Sequence, residues 1–285
     1  MTQGALVLEG GALRCLFTAG VLDIMLKQEI EMSCVMGVSA GSLSGVNYVA
    51  KQIGRTAKVN IHYMRDKRYF SAWNWLKQKG FFDFDFMFGE LSENLLPLDY
   101  QTFEQSPQRF IAVATECKTG EPRYYEKGVC QDIYKAVRAS SSIPLMEPIV
   151  EVDGEECVDG GVGMAIPYQK AIDDGYEKIV VVLTRDLTYR KKPYTPAVLK
   201  LYERVFREYP GMLEAIRTGP ERYNRMVEEI VQLEKEGRIF VIRPEKPILI
   251  SRMEKDRGKL RDLYREGRRV GKQQLEALKQ YLEIQ

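Results

Sequence analysis

Short apolar runs alternate with helical spacing over the first 184 residues of the chain. Residues 5–8, 34–36, 110–114 and 178–183 are apolar runs of the length that buried strands have. Residues 14–28 repeat apolar side chains at helical spacing, and a second helix-like segment follows Ser39. The order strand, helix, strand, helix predicts right-handed crossovers and a largely parallel central sheet, which is the α/β fold class.

The pattern changes later in the chain. Residues 150–158 alternate around Asp153-Gly154, a pair that suits a tight turn, and they predict a β-hairpin. Beyond residue 195 the spacing is mainly helical, with one short strand predicted at residues 239–242. Pro193 and Pro196 mark the best candidate for a domain boundary, although the composition does not change there. We therefore expect a core over residues 1–184 and a mainly helical part over residues 185–285 that packs on the same domain.

Aromatic side chains are concentrated in residues 63–88, here called the aromatic segment, which contains both tryptophans, Trp73 and Trp75. One hypothesis is a lid that lines an acyl-chain pocket or touches lipid. The alternative is a local hydrophobic cluster under a long loop. Only the first hypothesis predicts that loss of Phe81 and Phe82 weakens activity on long acyl chains more than on short ones.

Charge is distributed unevenly, although the net charge of +2 is too small to predict a nucleic-acid partner. Residues 1–184 carry 18 Lys and Arg against 24 Asp and Glu, a net charge of −6. Residues 185–285 carry 24 against 16, a net charge of +8. This basic part either contacts an anionic membrane surface or a phosphate, or carries its charge on ordinary solvated helices.

The cysteines and the apolar runs bear on location. The five cysteines are scattered, odd in number and without a CxxC pair, which predicts reduced thiols rather than disulfides or a zinc site. The first residues lack the basic region and long apolar stretch of a signal peptide, and no run of about 18 apolar residues predicts a membrane span. We expect a cytoplasmic protein whose membrane contact, if any, is peripheral at the inner surface.

A candidate nucleophile lies in Gly37-Val38-Ser39-Ala40-Gly41, a G-x-S-x-G between an apolar run and a helix-like segment. That context is the one a nucleophile elbow requires, because the serine must sit on a sharp strand-to-helix turn with its hydroxyl accessible. The small flanking residues permit the tight turn, and the start of the following helix favours a developing oxyanion. The alternative is a glycine-lined turn where a helix and a strand pack closely.

Two side chains are candidates for the base. His62 is the only histidine, and it follows Ser39 by 23 residues, so the order Ser, Asp or Glu, His of α/β-hydrolases cannot be completed downstream. Asp159 ends a strand-like run and enters Gly160-Gly161, where missing side chains permit close approach of another segment. Desolvation can make a carboxylate basic enough to serve. Asp159 is the better placed, and His62 stays an alternative because triads occur in several chain orders.

Glycines also follow the first predicted strand, in Glu9-Gly10-Gly11-Ala12-Leu13-Arg14. Successive backbone N–H groups at such a junction can hold an oxyanion or a phosphate. The segment matches neither G-x-G-x-x-G nor a P-loop, so a nucleotide cofactor is not expected. Beside a nucleophilic serine, the amides of Gly10, Gly11 and Ala12 are candidate oxyanion donors.

These motifs, in this order, resemble those of the patatin-like phospholipase family. The family has a D/E-G-G-G-x-R/K-G loop, a G-x-S-x-G nucleophile and a D-G-G/A motif. In this chain residues 9–15, 37–41 and 159–161 resemble these three motifs, in that order. Residues 136–144 are similar to its A-x-x-A-S-x-A-x-P segment. The resemblance covers roughly residues 4–184.

The resemblance implies a three-layer α/β/α fold and hydrolysis of lipid acyl esters by a Ser39–Asp159 dyad without histidine, metal or cofactor. It assigns supporting positions to Arg14, Gly37, Gly41, Gly160 and Gly161. Ala12 and Cys15 stand where the family has glycine. Alanine keeps its amide, so the donor is retained if the local φ need not be positive, and Cys15 is expected to pack at the helix start.

Three functions are compatible with these residues. The first is a phospholipase A or lysophospholipase-like hydrolase with a lipid or acyl-ester substrate, and the second is a hydrolase of small esters or thioesters. The third is a catalytically silent lipid-binding protein, against which the intact Ser39 and Asp159 argue. Preference for acyl-chain length would separate the first two, since one fold can host several activities.

Overall fold

The computed structural model describes residues 1–77, 80–251 and 253–284. The strands are β1 (Thr2–Leu8), β2 (Met32–Val38), β3 (Arg109–Glu116), β4 (Pro122–Glu126), β5 (Val150–Val152), β6 (Glu155–Asp159), β7 (Ile179–Val182) and β8 (Phe240–Ile242). The helices of the first half are α1 (Cys15–Lys27), α2 (Ala40–Val49), α3 (Arg55–Tyr63), α4 (Ala72–Leu76), α5 (Phe84–Phe86), α6 (Tyr100–Gln105) and α7 (Ile133–Ser140). Those of the second half are α8 (Tyr168–Asp173), α9 (Pro196–Val205), α10 (Pro210–Lys235), α11 (Arg257–Gln273) and α12 (Leu275–Leu282). A 3₁₀ turn (Ala12–Arg14) precedes α1, and a π-helix (Met87–Leu95) follows α5.

The sheet runs β3-β2-β1-β7-β8; β6, which also pairs with β5, continues along the same edge of β3 beyond the end of β2, and β4 pairs with the other edge of β3. The pairs β3–β2, β2–β1, β1–β7 and β7–β8 are parallel, so the predicted largely parallel sheet is confirmed. The carboxyl ends of β1, β2 and β7 meet at one edge, since Leu8 lies opposite both Gly37 and Val182. Open α/β sheets bind their ligands at this edge.

Helices cover both faces of the sheet and give three layers. Along β1, Leu6 and Leu8 join the apolar core that contains α1, α2 and α11, whereas Ala5 and Val7 join the core that contains α8 and α10. Adjacent side chains of a strand point to opposite faces, which explains why one strand serves both cores. None of the helices in the described ranges is long and apolar enough to cross a membrane.

The hairpin and the C-terminal strand form where the pattern predicts them. The hairpin of β5 and β6 turns at Asp153 and Gly154, whose φ angles of 50° and 83° are both positive, as this kind of two-residue turn requires. β8 extends the sheet by pairing with β7 across residue 184. The functional division of the chain at that residue stays a prediction, because the two parts share one sheet.

Candidate active site

Ser39 occupies a strained turn between β2 and α2. Its φ of 56° and ψ of −131° are unusual for a residue with a side chain, and strain of this kind costs roughly 1–3 kcal/mol. The turn is tight because a Cβ on Gly41 would lie 2.5 Å from the carbonyl oxygen of Leu8. The Ser39 N–H donates to Ser140 Oγ at 2.8 Å, and Ser140 Oγ donates to the Val113 carbonyl at 2.6 Å. These bonds hold the strained turn against β3.

Asp159 reaches the same place from the opposite direction. The last residue of β2, Val38, lies opposite Val113 of β3, and Asp159, the last residue of antiparallel β6, lies opposite Ala114. β2 and β6 occupy the same side of β3, because β4 pairs with its other side. The two strand ends therefore meet along β3, and Ser39 and Asp159 line one cavity.

Backbone contacts fix the aspartate. Its N–H donates to the Ser142 carbonyl at 2.8 Å, and its Oδ1 accepts the Gly161 N–H at 2.8 Å. The turn beyond it requires glycine, because a Cβ on Gly160 would lie 2.0 Å from the Val113 carbonyl oxygen. Asp159 is buried, as is Ser39. The carboxylate thus has one oxygen held by the backbone and its position set by β3.

The loop after β1 lies beside the serine. A Cβ on Gly10 would be 2.9 Å from Ser39 Cβ, which shows how closely the two segments approach. The amides of Gly10, Gly11 and Ala12 make no hydrogen bond within the described part of the chain. Alanine could replace the family's glycine without strain only if φ were negative here. Ala12 has a φ of 47°, so this condition is not met. The amide is retained, but the loop holds alanine in a left-handed conformation.

Hydrogen bonds to the Glu9 side chain hold this loop in place. Its Oε1 accepts the Tyr223 hydroxyl at 2.8 Å, and its Oε2 accepts the N–H and the hydroxyl of Thr184. Burial, followed by the nearby Glu9 carboxylate, raises the pKa of Tyr223 well above its usual range. Cys15 begins α1 and is buried, and its Sγ donates to the Glu9 carbonyl, so the expectation that it packs is confirmed. Burial raises the pKa of this thiol to about 12.

Two cavities meet at Ser39 and Ala12. The first, here called the apolar cavity, is walled largely by hydrophobic side chains, among them Leu43, Val59, Phe82, Phe84, Phe88, Leu91 and Ile143. The second, here called the tyrosine cavity, lies on the Asp159 side and is walled by Glu9, Arg14, Arg185, Tyr189, Lys191, Tyr194, Tyr202 and Tyr223. An ester bound at Ser39 has room on both sides of its carbonyl.

Comparison with known proteins agrees with this geometry. The sequence model of the patatin-like phospholipase family matches residues 6–172, more than half of the chain. The chain belongs to the patatin-like phospholipase family. Residues 209–283 match a domain of unknown function, DUF6363. The chain is 28% identical over 275 residues to the uncharacterized protein YjjU of Escherichia coli strain K12, covering 94% of this chain and 76% of that protein.

A solved structure shares the fold. The crystal structure of VipD from Legionella pneumophila superposes with a TM-score of 0.52 at 14% identity, covering 97% of this chain and 67% of that chain. At that identity the likeness shows the fold alone, which is the three-layer arrangement that the family resemblance implies. Membership of the patatin-like phospholipase family implies an ester hydrolase that acts on lipids.

The other predicted residues of this patatin-like site fall as follows. Gly37 is the next-to-last residue of β2 and lies beside Ser42, and Arg14 lines the tyrosine cavity. His62 is exposed on α3 and lines neither of the two cavities. The structure thus brings Asp159, and not the histidine, to the serine.

Aromatic side chains divide between the two hypotheses about residues 63–88. Phe82, Phe84 and Phe88 line the apolar cavity, whereas Phe81 stacks on Phe70 and Trp75 outside its wall. Residues 78 and 79 of this segment lie outside the described residues. The segment is therefore partly pocket wall and partly a local cluster.

Sequence reasoning missed several contributors to the site. Ser140 was visible only as part of a segment resembling the family. Thr184, Tyr223 and the two cations Arg185 and Lys191 come from beyond the recognised motifs. A periodic pattern on α10 places Tyr223 on its buried face, but no local signal predicts that its hydroxyl reaches Glu9.

Proposed function

We propose that the protein hydrolyses acyl esters of lipids, with Ser39 as nucleophile and Asp159 as base. The observation that supports this best is the meeting of β2 and β6 along β3, which puts both residues in one cavity beside the glycine loop. Family membership implies the class of reaction. The dyad and its roles are the proposal.

In the first step the Asp159 carboxylate takes the proton of the Ser39 hydroxyl, and Oγ forms a bond to the ester carbonyl carbon. The carbonyl oxygen becomes an oxyanion, for which the amides of Gly10, Gly11 and Ala12 are the donors. Donors fixed in place before the reaction stabilise this charge without reorganisation. The N-terminal end of α2, directly after Ser39, adds a favourable dipole.

In the second step the carbon–oxygen bond to the alcohol breaks, and the alcohol leaves with the proton from Asp159. The acyl group stays on Ser39 as an ester. Asp159 then takes a proton from water, whose oxygen attacks the acyl carbon, and the fatty acid leaves as Ser39 regains its proton. The same carboxylate serves as base and acid in turn, as covalent catalysis requires.

The apolar cavity is the proposed site of the acyl chain. Among the described residues of its wall Arg55 alone is charged, and its guanidinium donates to Asn47 Oδ1 and Ser92 Oγ at 2.8 Å and to the Leu96 carbonyl at 2.9 Å. Because these bonds satisfy the cation inside the protein, an apolar chain can lie beside it. The rest of the wall offers the hydrophobic contacts that fatty acyl groups need.

Work at a membrane surface fits the exposed side chains of α4. Trp73, Trp75 and Leu76 are 63%, 48% and 63% exposed, and tryptophan favours the boundary between lipid and water. We propose a cytoplasmic protein that meets the inner membrane surface peripherally. Binding to vesicles that ignores ionic strength would argue against a role for the basic C-terminal part in this contact.

A fluorophosphonate probe, which labels activated serines, tests the dyad. Wild type is expected to be labelled, and Ser39→Ala and Asp159→Asn to be unlabelled. Asp153→Asn is the matched control, because Asp153 lies in the turn of the same hairpin and asparagine also tolerates its positive φ. Labelling that survives Asp159→Asn but is lost in His62→Ala would assign the base to His62 instead.

Acyl-chain length distinguishes the lipid hydrolase from a hydrolase of small esters or thioesters. We expect kcat/KM on p-nitrophenyl esters to rise from the butanoyl to the dodecanoyl ester, because each methylene buried in the apolar cavity gains about 0.8 kcal/mol. A maximum at the acetyl or butanoyl ester would favour the small-ester function.

A further inference from the structure

Helix α10 comes from the part of the chain beyond the patatin-like core, and it reaches two separate loops of the active site. It lies within residues 209–283, the region that matches a domain of unknown function. Its buried face packs on the core beneath the sheet through side chains such as Met226 and Ile230. Its first turn is attached as well, because the Met212 N–H donates to the Cys117 carbonyl at 3.2 Å. The helix is therefore held in place along its length.

Tyr223 connects α10 to the glycine loop that carries the proposed oxyanion donors. Its hydroxyl donates to Glu9 Oε1 at 2.8 Å, and Thr184 donates its N–H and its hydroxyl to Glu9 Oε2. The Thr184 hydroxyl also lies 3.3 Å from the Gly10 carbonyl oxygen, and a Cβ on Gly11 would lie 2.7 Å from Thr184 Oγ1. Because Glu9 is buried, loss of one donor leaves an unsatisfied carboxylate oxygen directly before the loop.

Arg222, the preceding residue, reaches the turn that carries the proposed base. Its guanidinium donates to the Val162 carbonyl, and to the Ala215 carbonyl of α10 at 3.0 Å. The Val162 N–H in turn donates to the Asp159 carbonyl at 3.1 Å. Arg222 is half-buried and makes no ion pair within the described part of the chain, so its donors serve uncharged acceptors of the protein.

Two consecutive residues of one helix thus hold two different loops. Adjacent positions of an α-helix point about 100° apart, which explains why one side chain meets the glycine loop and the next meets the Asp159 turn. Within the sheet these loops are connected through the three pairings β1–β2, β2–β3 and β3–β6. α10 adds a direct connection, which fixes the oxyanion donors relative to the base before the substrate binds.

We infer that Arg222 and Tyr223 are positioning residues of the proposed hydrolase, and that the region of unknown function contributes α10 to fix the glycine loop relative to Asp159. The inference rests on the proposed function for the roles of Asp159 and of the loop amides. Neither positioning residue forms or breaks a bond in that mechanism. Tyr223 acts through Glu9, and Arg222 acts through the turn after Asp159. Displacement of either loop lowers kcat more than it lowers substrate affinity, because the interactions at stake form in the transition state.

Tyr223→Phe removes one hydroxyl and keeps the ring. We expect its kcat for p-nitrophenyl dodecanoate to fall about 10- to 100-fold, while KM changes by less than about twofold. Tyr168→Phe is the matched control, because Tyr168 is also 3% exposed, donates its hydroxyl to Glu229 of α10, and lines neither cavity at Ser39. It should lose similar stability in urea and keep kcat. Equal losses of kcat in the two variants, or none in Tyr223→Phe, would overturn the inference.

A double-mutant cycle tests whether Tyr223 acts through Glu9. Glu9→Ala removes both acceptor oxygens, so Tyr223→Phe should lower kcat by less than about threefold when it is added to Glu9→Ala. Losses that multiply would show that the hydroxyl acts independently of Glu9 and would overturn the positioning role.

Arg222→Met tests the second contact. We expect kcat to fall about tenfold with KM nearly unchanged. Arg225→Met is the control, because Arg225 is an exposed arginine of the same helix that pairs with Glu221, and its kcat should equal that of wild type. An unchanged kcat in Arg222→Met would overturn the assignment of Arg222.

Hydrogen exchange separates failure of this inference from failure of the proposed function. The Arg14 N–H, which donates to the Gly11 carbonyl at 3.0 Å, reports on opening of the glycine loop. Its exchange should be about tenfold faster in Tyr223→Phe and unchanged in Tyr168→Phe. That pattern in a protein that hydrolyses no ester would support the contact and refute the hydrolase. An active wild type in which Tyr223→Phe changes neither exchange nor kcat would overturn the inference and leave the hydrolase intact.

Discussion

Glu147 is the residue whose change gives the sharpest prediction about stability. It is a buried carboxyl that holds the aromatic segment: its Oε1 accepts the Phe82 N–H at 3.0 Å, and next to it the Phe81 N–H donates to the Met146 carbonyl at 3.1 Å. Burial raises the pKa of Glu147 from its usual 4.5 to about 8, although the backbone N–H of Phe82 opposes that shift. We predict that Glu147→Gln removes a loss of stability that the wild-type protein undergoes as pH rises from about 4.5 to about 8.

The direction in which stability changes with pH follows from the pH ranges over which the folded and the unfolded protein keep the proton on Glu147. The unfolded chain keeps the proton on Glu147 only below about pH 4.5, whereas the folded protein keeps it up to about pH 8. The free energy of unfolding therefore falls as pH rises between these values, by roughly 4–5 kcal/mol if the shift were fully realised. Relaxation and water penetration reduce such effects, so we expect about 2–4 kcal/mol. Glutamine keeps the acceptor for Phe82 but cannot ionise.

Urea unfolding at pH 5 and at pH 9 measures the effect. The free energy of unfolding of Glu147→Gln, minus that of wild type, should rise by about 2–4 kcal/mol between the two pH values. Glu151→Gln, an exposed glutamate on neighbouring β5, is the control, and its difference from wild type should stay constant. A difference for Glu147→Gln that changes by less than about 0.5 kcal/mol would refute the reasoning.

Three further predictions concern the site itself. Phe82→Ser should lower kcat/KM for a dodecanoyl ester about tenfold more than for a butanoyl ester, whereas Phe81→Ser, outside the cavity, should affect both equally; equal losses in Phe82→Ser would contradict its place in the acyl site. Ala12→Gly should leave unfolding in urea unchanged or stabilise the protein by up to about 1 kcal/mol, since relief of the positive φ exceeds the added freedom of the unfolded chain, and a loss of stability would show that the strain is absent. Ser140→Ala should cost about 1–3 kcal/mol of stability and lower kcat, because the Ser39 N–H loses its acceptor; unchanged unfolding and kcat would argue against this support.

Local signals predicted most of the strands and turns of residues 1–184. Asp153-Gly154 predicted its turn because only a few residues accept positive φ at both positions. The elbow at Ser39 and the helix after it followed from small residues between an apolar run and a helical pattern. In each case the residues that specify the structure are adjacent in sequence, and their spacing is itself the signal.

Distant contacts could not be predicted. Tyr223 reaches Glu9 across 214 residues, and Arg185 and Lys191 join the cavity because β7 ends beside β1. The sequence also did not predict which side chains of the aromatic segment face the cavity, since its helices are short and Gly89 interrupts the π-helix with a non-helical ψ of −109°. Without a long helix there is no period from which to infer that Phe82 faces the cavity and Phe81 does not.

The position of β1 in the sheet has a consequence for synthesis. Among the strands of this sheet β1 leaves the ribosome first, yet it lies in the middle of the sheet, between β2 and β7. At about 5–20 residues per second, its second neighbour follows only after roughly 10–35 s. During that time one edge of an apolar strand has no partner in the nascent chain, and the Glu9 carboxylate lacks both Thr184 and Tyr223. We expect the hydrolase to remain inactive on the ribosome until α10 has emerged, and its nascent chain to depend on a chaperone.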